Sequence, residues 1–154
     1  MGIDLDCCDQ EFSCPYNTWN EVRMECIYAT FRYLENLEKR LKPNDRIEMQ
    51  TEFLHSILKL KPMLTESVNS FLSQFCRNDI LIDTFISLDI YGLYSLINKS
   101  DCEGFYSPGN AFDIVLLLDK INPYMTNEIV AELMPSIISL FKKSVESKIS
   151  ILIS

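Results

Sequence analysis

Few residues in this chain could do chemistry. Asp79 and Asp83 stand four apart, with Asp89 further along the same apolar stretch, "DILIDTFISLDIYGLYSLIN". Two carboxylates on one helix face can work as acid and base or hold a divalent cation. The spacing also has a plainer reading. Asp79 follows Asn78 at a helix start, where a carboxylate favours the helix dipole, and Asp83 continues that face. His55 is the single histidine; it lies between Leu54 and Ile57 on an amphipathic segment and reads as structural or surface. Cysteines 7, 8, 14, 26, 76 and 102 lack the paired spacing of a zinc site. A glycine-rich phosphate loop and a GxSxG elbow are both missing. No catalytic, cofactor-binding or metal-binding residue is assigned. The main expectation is a non-enzymatic interaction protein; a small enzyme using Asp79 and Asp83 ranks last.

The elements that would position these residues are helical. Apolar residues recur at helical spacing at Val22, Met24, Ile27, Tyr28, Phe31, Leu34, Leu37 and Leu41. Asn17 or Thr18 is placed to cap this helix, with Glu21 completing a capping box from Thr18, and Pro43 stops it. Asn44 or Asp45 caps a second helix with a stripe at Ile47, Phe53, Leu54, Ile57, Leu58 and Leu60, broken at Pro62. A third starts near Thr65 and carries Leu64, Val68, Phe71, Leu72 and Phe75. Residues 79–98 form the most apolar helix, which predicts the central one of a bundle. "KSDCEGFYSPGN" reads as an exposed contact loop, followed by a short helix over "AFDIVLLLDKIN". The last helix is expected from about Thr126 to the end, with Pro135 on its solvent face. Its stripe continues through Phe141, Val145, Ile149 and Leu152. Strand-period alternation does not extend beyond a few residues. The expected fold is all-α, a compact bundle or short solenoid of about six helices. Residues 1–16 are expected as an acidic flexible segment and 17–154 as a single helical domain.

The 154 residues are enough for one domain with a real core, and the hydrophobic fraction of 47% argues against disorder. Net charge is −8, with ten acids and six bases over residues 1–50 and twelve and eight over 51–154. Neither part is basic, which argues against direct binding to nucleic acid or an anionic membrane. The longest apolar run is too short for a membrane span. No signal-peptide pattern is present, so the cysteines are expected reduced and the protein cytoplasmic. Asp6 stands where myristoylation asks for Ser or Thr, which argues against lipidation of Gly2. Partner-binding residues are expected at Phe105 and Tyr106 of the loop and at Phe141, Val145, Ile149 and Leu152 of the last helix.

"LTESVNSFLSQFCRNDILIDTFISLDIYGLYSLI" resembles the opening of the C-terminal helical domain of the katanin regulatory, non-ATPase subunit. Leu64, Val68, Phe71 or Phe75, Asn78, Asp79, Ile80 and Asp89 fill that motif. "LLDKINPYMTNEIVAELMPSIISLFKKSVESKI" is similar to a following helix of the family through Met134, Pro135, Leu140, Ser144 and Glu146. Residues 17–60 have no counterpart there, the loop and helix at 99–122 need an insertion, and the family's β-propeller is missing. The resemblance implies a module that heterodimerises with the N-terminal helices of the severing ATPase, tunes microtubule severing, and associates with the cytoskeleton through that partner. The alternative is a viral Bcl-like helical bundle that inhibits host innate immune or apoptotic signalling. "DIYGLYSLIN" and "NAFDIVLLLDKIN" look like the last two core helices of that group.

Overall fold

A computed structural model describes residues 2–40, 48–99 and 104–154. The expected stop at Pro43, the cap at Asn44 or Asp45, Leu41, Ile47, Cys102 and part of the expected contact loop lie outside the described residues. The fold is mostly helical, but it also contains a four-stranded antiparallel sheet, so the all-α expectation is corrected. No helix among the described residues is long and apolar enough to cross a membrane.

The chain opens with a hairpin, β1 (Gly2–Cys7) and β2 (Gln10–Pro15), where a flexible segment was expected. The reason is alternation with period two. Ile3, Leu5 and Cys7 of β1 and Phe12 and Cys14 of β2 are buried, while Asp4, Glu11 and Ser13 face water. Cys8 and Asp9 make the two-residue turn, with Cys8 at φ 58°.

The chain then enters α1 (Tyr16–Arg40), ahead of the Asn17 or Thr18 cap expected from sequence. Helix α1 is the central element, burying Trp19, Val22, Cys26, Ile27, Ala29, Phe31 and Leu34. Helix α2 (Glu48–Lys59) packs against it; the short α3 (Lys61–Leu64) packs on α4 (Val68–Phe75), α5 (Asp79–Ser87) on α2 and α4, and α6 (Gly92–Ile97) on both α1 and α4. Ser67 caps α4 through the Ser70 N–H at 3.0 Å, and Asn78 caps α5 through the Leu81 N–H at 3.0 Å. Phe71, Phe75, Phe85, Tyr91 and Tyr94 join α4, α5 and α6 in an aromatic cluster, with ring centroids 5.1–6.1 Å apart.

The expected central helix over 79–98 is divided. Asp89, at φ 57°, closes α5 in a Schellman arrangement: the Ile90 N–H donates to the Phe85 carbonyl (2.9 Å) and the Asp89 N–H to that of Ile86 (3.1 Å). Two exposed isoleucines, Ile80 and Ile86, place α5 at the periphery. Beyond the turn, Gly92 lets α6 approach the next helix closely, since a Cβ there would sit 2.2 Å from the Asp113 carbonyl oxygen.

Strand β3 (Gly104–Tyr106) leads into α7 (Pro108–Ile121), which starts with a capping box between Ser107 and Asn110 and has Pro108 in its first turn. A 3₁₀ turn, Asn122–Tyr124, precedes α8 (Glu128–Ser147), capped by Asn127. Pro135 lies inside α8, which remains one helix, and it is exposed as expected. Water can therefore solvate the Ala131 carbonyl that loses its partner. Helix α8 stops at Ser147, not at the chain end. Lys148 takes a left-handed conformation, φ 58°, and the chain turns back as β4 (Ile151–Ile153). Strand order is β2-β1-β4-β3, so the two ends of the described chain share the middle of the sheet.

Candidate interaction face

The alternation of β4 decides which part of "ISILIS" touches what. Ile151 and Ile153 are buried against the helices, and Leu152 points away from them, 60% exposed. On β3, Tyr106 is buried and Phe105 is 55% exposed. Phe105 and Leu152 are register partners, so two large apolar side chains stand side by side on the outer face. Leu152 is paired in turn with Asp6 of β1, and Asp6 with Glu11 of β2. One cross-strand row therefore reads Phe105, Leu152, Asp6, Glu11: an apolar half and an acidic half. Asp6 is half-buried and Glu11 exposed, and Asp4 adds an exposed carboxylate on β1.

Backbone pairing fixes this row. The Asp4 N–H donates to the Ser154 carbonyl (2.9 Å) and the Ser154 N–H to that of Asp4 (3.0 Å). Antiparallel pairing alternates, so the groups of Ile3 and Leu5 turn towards β2, and those of Glu11, Ser13 and Pro15 point off the sheet edge. Pro15 thus sits where its missing N–H costs no ladder bond. The Lys99 ammonium stands 6.0 Å from the Phe105 ring centroid, a cation–π distance.

Of the expected partner-binding residues, Phe105, Ile149 and Leu152 are exposed and Val145 is half-buried. Tyr106 and Phe141 belong to the core instead, with rings 5.1 Å apart, edge to face; the Tyr106 hydroxyl donates to the Leu96 carbonyl at 2.7 Å. For Tyr106 strand alternation is the reason, since adjacent residues cannot both face outward; Phe141 lies on the buried stripe of α8. Ile149 lies in the connection between α8 and β4, its carbonyl accepting from Ser144 Oγ and, at 3.6 Å, from Cys7 Sγ. It sits beside the hairpin tip. The docked residues of the tail are Ile151 and Ile153, where the helical stripe predicted Ile149 and Leu152.

The residues singled out for chemistry are dispersed. Asp79 and Asp83 are exposed, Asp79 in the first turn of α5. His55 is exposed, with Nδ1 3.5 Å from Glu38 Oε1. Among the described residues, no group of three or more His, Cys, Asp or Glu is arranged to hold a metal ion. Burial, and secondarily the Asp4 charge, pushes the Cys14 thiol up to about 11; burial, and secondarily Glu25, pushes that of Cys26 up to about 12. Both are held as unreactive thiols at neutral pH.

Sequence reasoning missed Glu25, which is 5% exposed in the middle of α1. Its Oε1 accepts from Arg32 Nη1 (2.8 Å), from the Thr126 N–H (2.8 Å) and from the Asn127 N–H (3.3 Å). Arg32 Nη1 also donates to the Tyr124 carbonyl at 2.8 Å. Burial raises this carboxyl, but the bonds from Thr126, Arg32 and Asn127 outweigh it and hold the group below its ordinary range. The arrangement ties the start of α8 to α1. The signal was readable: Glu25 is i+3 from Val22 and i−4 from Ala29, inside the buried stripe.

Comparison with protein-family models, with curated proteins and with solved structures finds no match for this chain.

Proposed function

We propose that this protein is a non-enzymatic interaction module that docks a protein partner on the outer face of its sheet. The observation that carries the reading is the register pair Phe105 and Leu152, both more than half exposed although the residues on either side of Leu152 are buried. Single exposed apolar residues are ordinary. Two in register on one face, next to uncommitted carboxylates, make a patch whose burial would favour association by about 1–2 kcal/mol per side chain.

The resemblance to the katanin regulatory subunit supplies the first partner to test, the N-terminal helices of a katanin-type severing ATPase. On that reading the chain tunes severing through its partner, and its own acidity keeps it off the acidic microtubule. The Bcl-like alternative relies on a buried central helix over 79–98; two short helices occupy that stretch, and no observation favours it further. The test is co-purification of the ATPase helices with the wild-type chain and with Phe105→Ser/Leu152→Ser, circular dichroism confirming that both are folded. Capture by the wild type and loss in the double variant supports the reading. Capture that ignores the double variant removes the sheet face, and no capture removes the katanin-type partner.

A further inference from the structure

We propose that the occupant of the outer face is a basic segment of another protein, one that sets apolar side chains on Phe105 and Leu152 and lysine or arginine on Asp4, Asp6 and Glu11. This deepens the interaction reading above and rests on it. The four strands carry three acids and no base. Among the described residues, no cation pairs with Asp4, Asp6 or Glu11. Lys99 stands over Phe105 at the apolar end, and Lys143 reaches Asp9 at the hairpin tip, 3.8 Å away. Neighbouring strands lie about 4.8 Å apart, so the row from Phe105 to Glu11 spans roughly 14 Å. That is the reach of a short segment with apolar residues at one end and cations at the other.

Charge selects this occupant over the alternatives. A second copy laid acid to acid would meet like charges, and laid acid to apolar half it would bury unpaired carboxylates. An anionic lipid surface or a nucleic acid is repelled by the same three groups. A basic segment satisfies both halves at once, through apolar burial on β3 and β4 and charge pairing on β1 and β2.

The test uses two synthetic peptides of equal length, one with leucines at one end and lysines at the other, the second with glutamates in place of the lysines. Binding is followed by fluorescence anisotropy at low and at physiological salt. Two triple variants are compared, D4N/D6N/E11Q on the face and E66Q/D79N/D83N on exposed positions elsewhere. The expected result is that the lysine peptide binds, weakens with salt, and loses about tenfold in the face variant while the control variant is unchanged, since exposed charge pairs are each worth a factor of a few. Equal loss in both variants would mean attraction to bulk charge and overturn the proposal, as would no binding of the lysine peptide. Equal binding of the glutamate peptide, still abolished by Leu152→Ser, would overturn the basic partner and leave the docking face standing. Self-association removed by Leu152→Ser would replace the basic partner with a second copy.

Discussion

Acidic residues meet apolar ones in two regions of this molecule, and the two differ in commitment. In α1, Glu25 is buried and accepts from Arg32, Thr126 and Asn127. On the outer face of the sheet, no side-chain hydrogen bond or ion pair among the described residues engages Asp4, Asp6 or Glu11, and their neighbours Phe105 and Leu152 are open to water. A buried carboxylate with bonded partners is part of the scaffold. Unpaired carboxylates, two exposed and one half-buried, beside exposed apolar side chains remain available to something else. Scaffold and site are thus separated by whether polar groups are already satisfied, which residue type alone does not reveal.

The comparison breaks first if Glu25 proves dispensable. Glu25→Ala leaves the Arg32 guanidinium and two backbone N–H groups without their acceptor, at a cost of about 3–5 kcal/mol; Arg32 is one-third exposed, which favours the lower end. Urea unfolding measures this, and a loss below about 0.5 kcal/mol would place the network outside the scaffold. Next comes Ile151→Ala, which removes buried methyl groups where β4 meets the helices and should cost about 2–4 kcal/mol by the same measurement. A smaller effect follows from titration. The Glu25 pKa is lowered in the folded protein, so its contribution is complete above the ordinary glutamate value and is lost as pH falls through the folded one. The difference in urea midpoint between wild type and Glu25→Gln should therefore be constant near neutrality and shrink below about pH 4.3. A difference that grows on acidification would reverse the sign of the argument.

The helices were largely legible because the 3.6-residue period is a local signal. Val22, Ile27, Phe31 and Leu34, and Leu54 with Ile57, are buried as their spacing requires, while Tyr28 of the same expected stripe is exposed. The sheet was hidden because its strands are three to six residues long, one of its pairings joins opposite ends of the sequence, and another spans more than forty residues. Acids at the outward positions of "GIDLDC" made a strand look like a charged tail. "ISILIS" fits both periods: Ile149 and Leu152 extend the helical stripe, and Ile151 and Ile153 satisfy alternation. The left-handed turn at Lys148 decides between them, and lysine does not advertise it. Asp89 followed by Gly92 was a readable stop that the apolarity around it concealed. For the candidate face, composition pointed to Phe105 and Leu152, but only register placed them beside Asp6 and Glu11.

The smallest expected effect is the sharpest test of that register. Leu152 and Ile151 are neighbours in one strand, and both are large aliphatic residues. Leu152 contributes little to folding because most of its surface is already in water. Leu152→Ser should shift stability by no more than about 0.5 kcal/mol, against several for Ile151→Ala. Urea unfolding of the two variants side by side checks this. A loss of about 2 kcal/mol or more in Leu152→Ser would mean that its side chain is covered within this chain. The outer face would then belong to the core, and the distinction between committed and open carboxylates would no longer mark a docking surface.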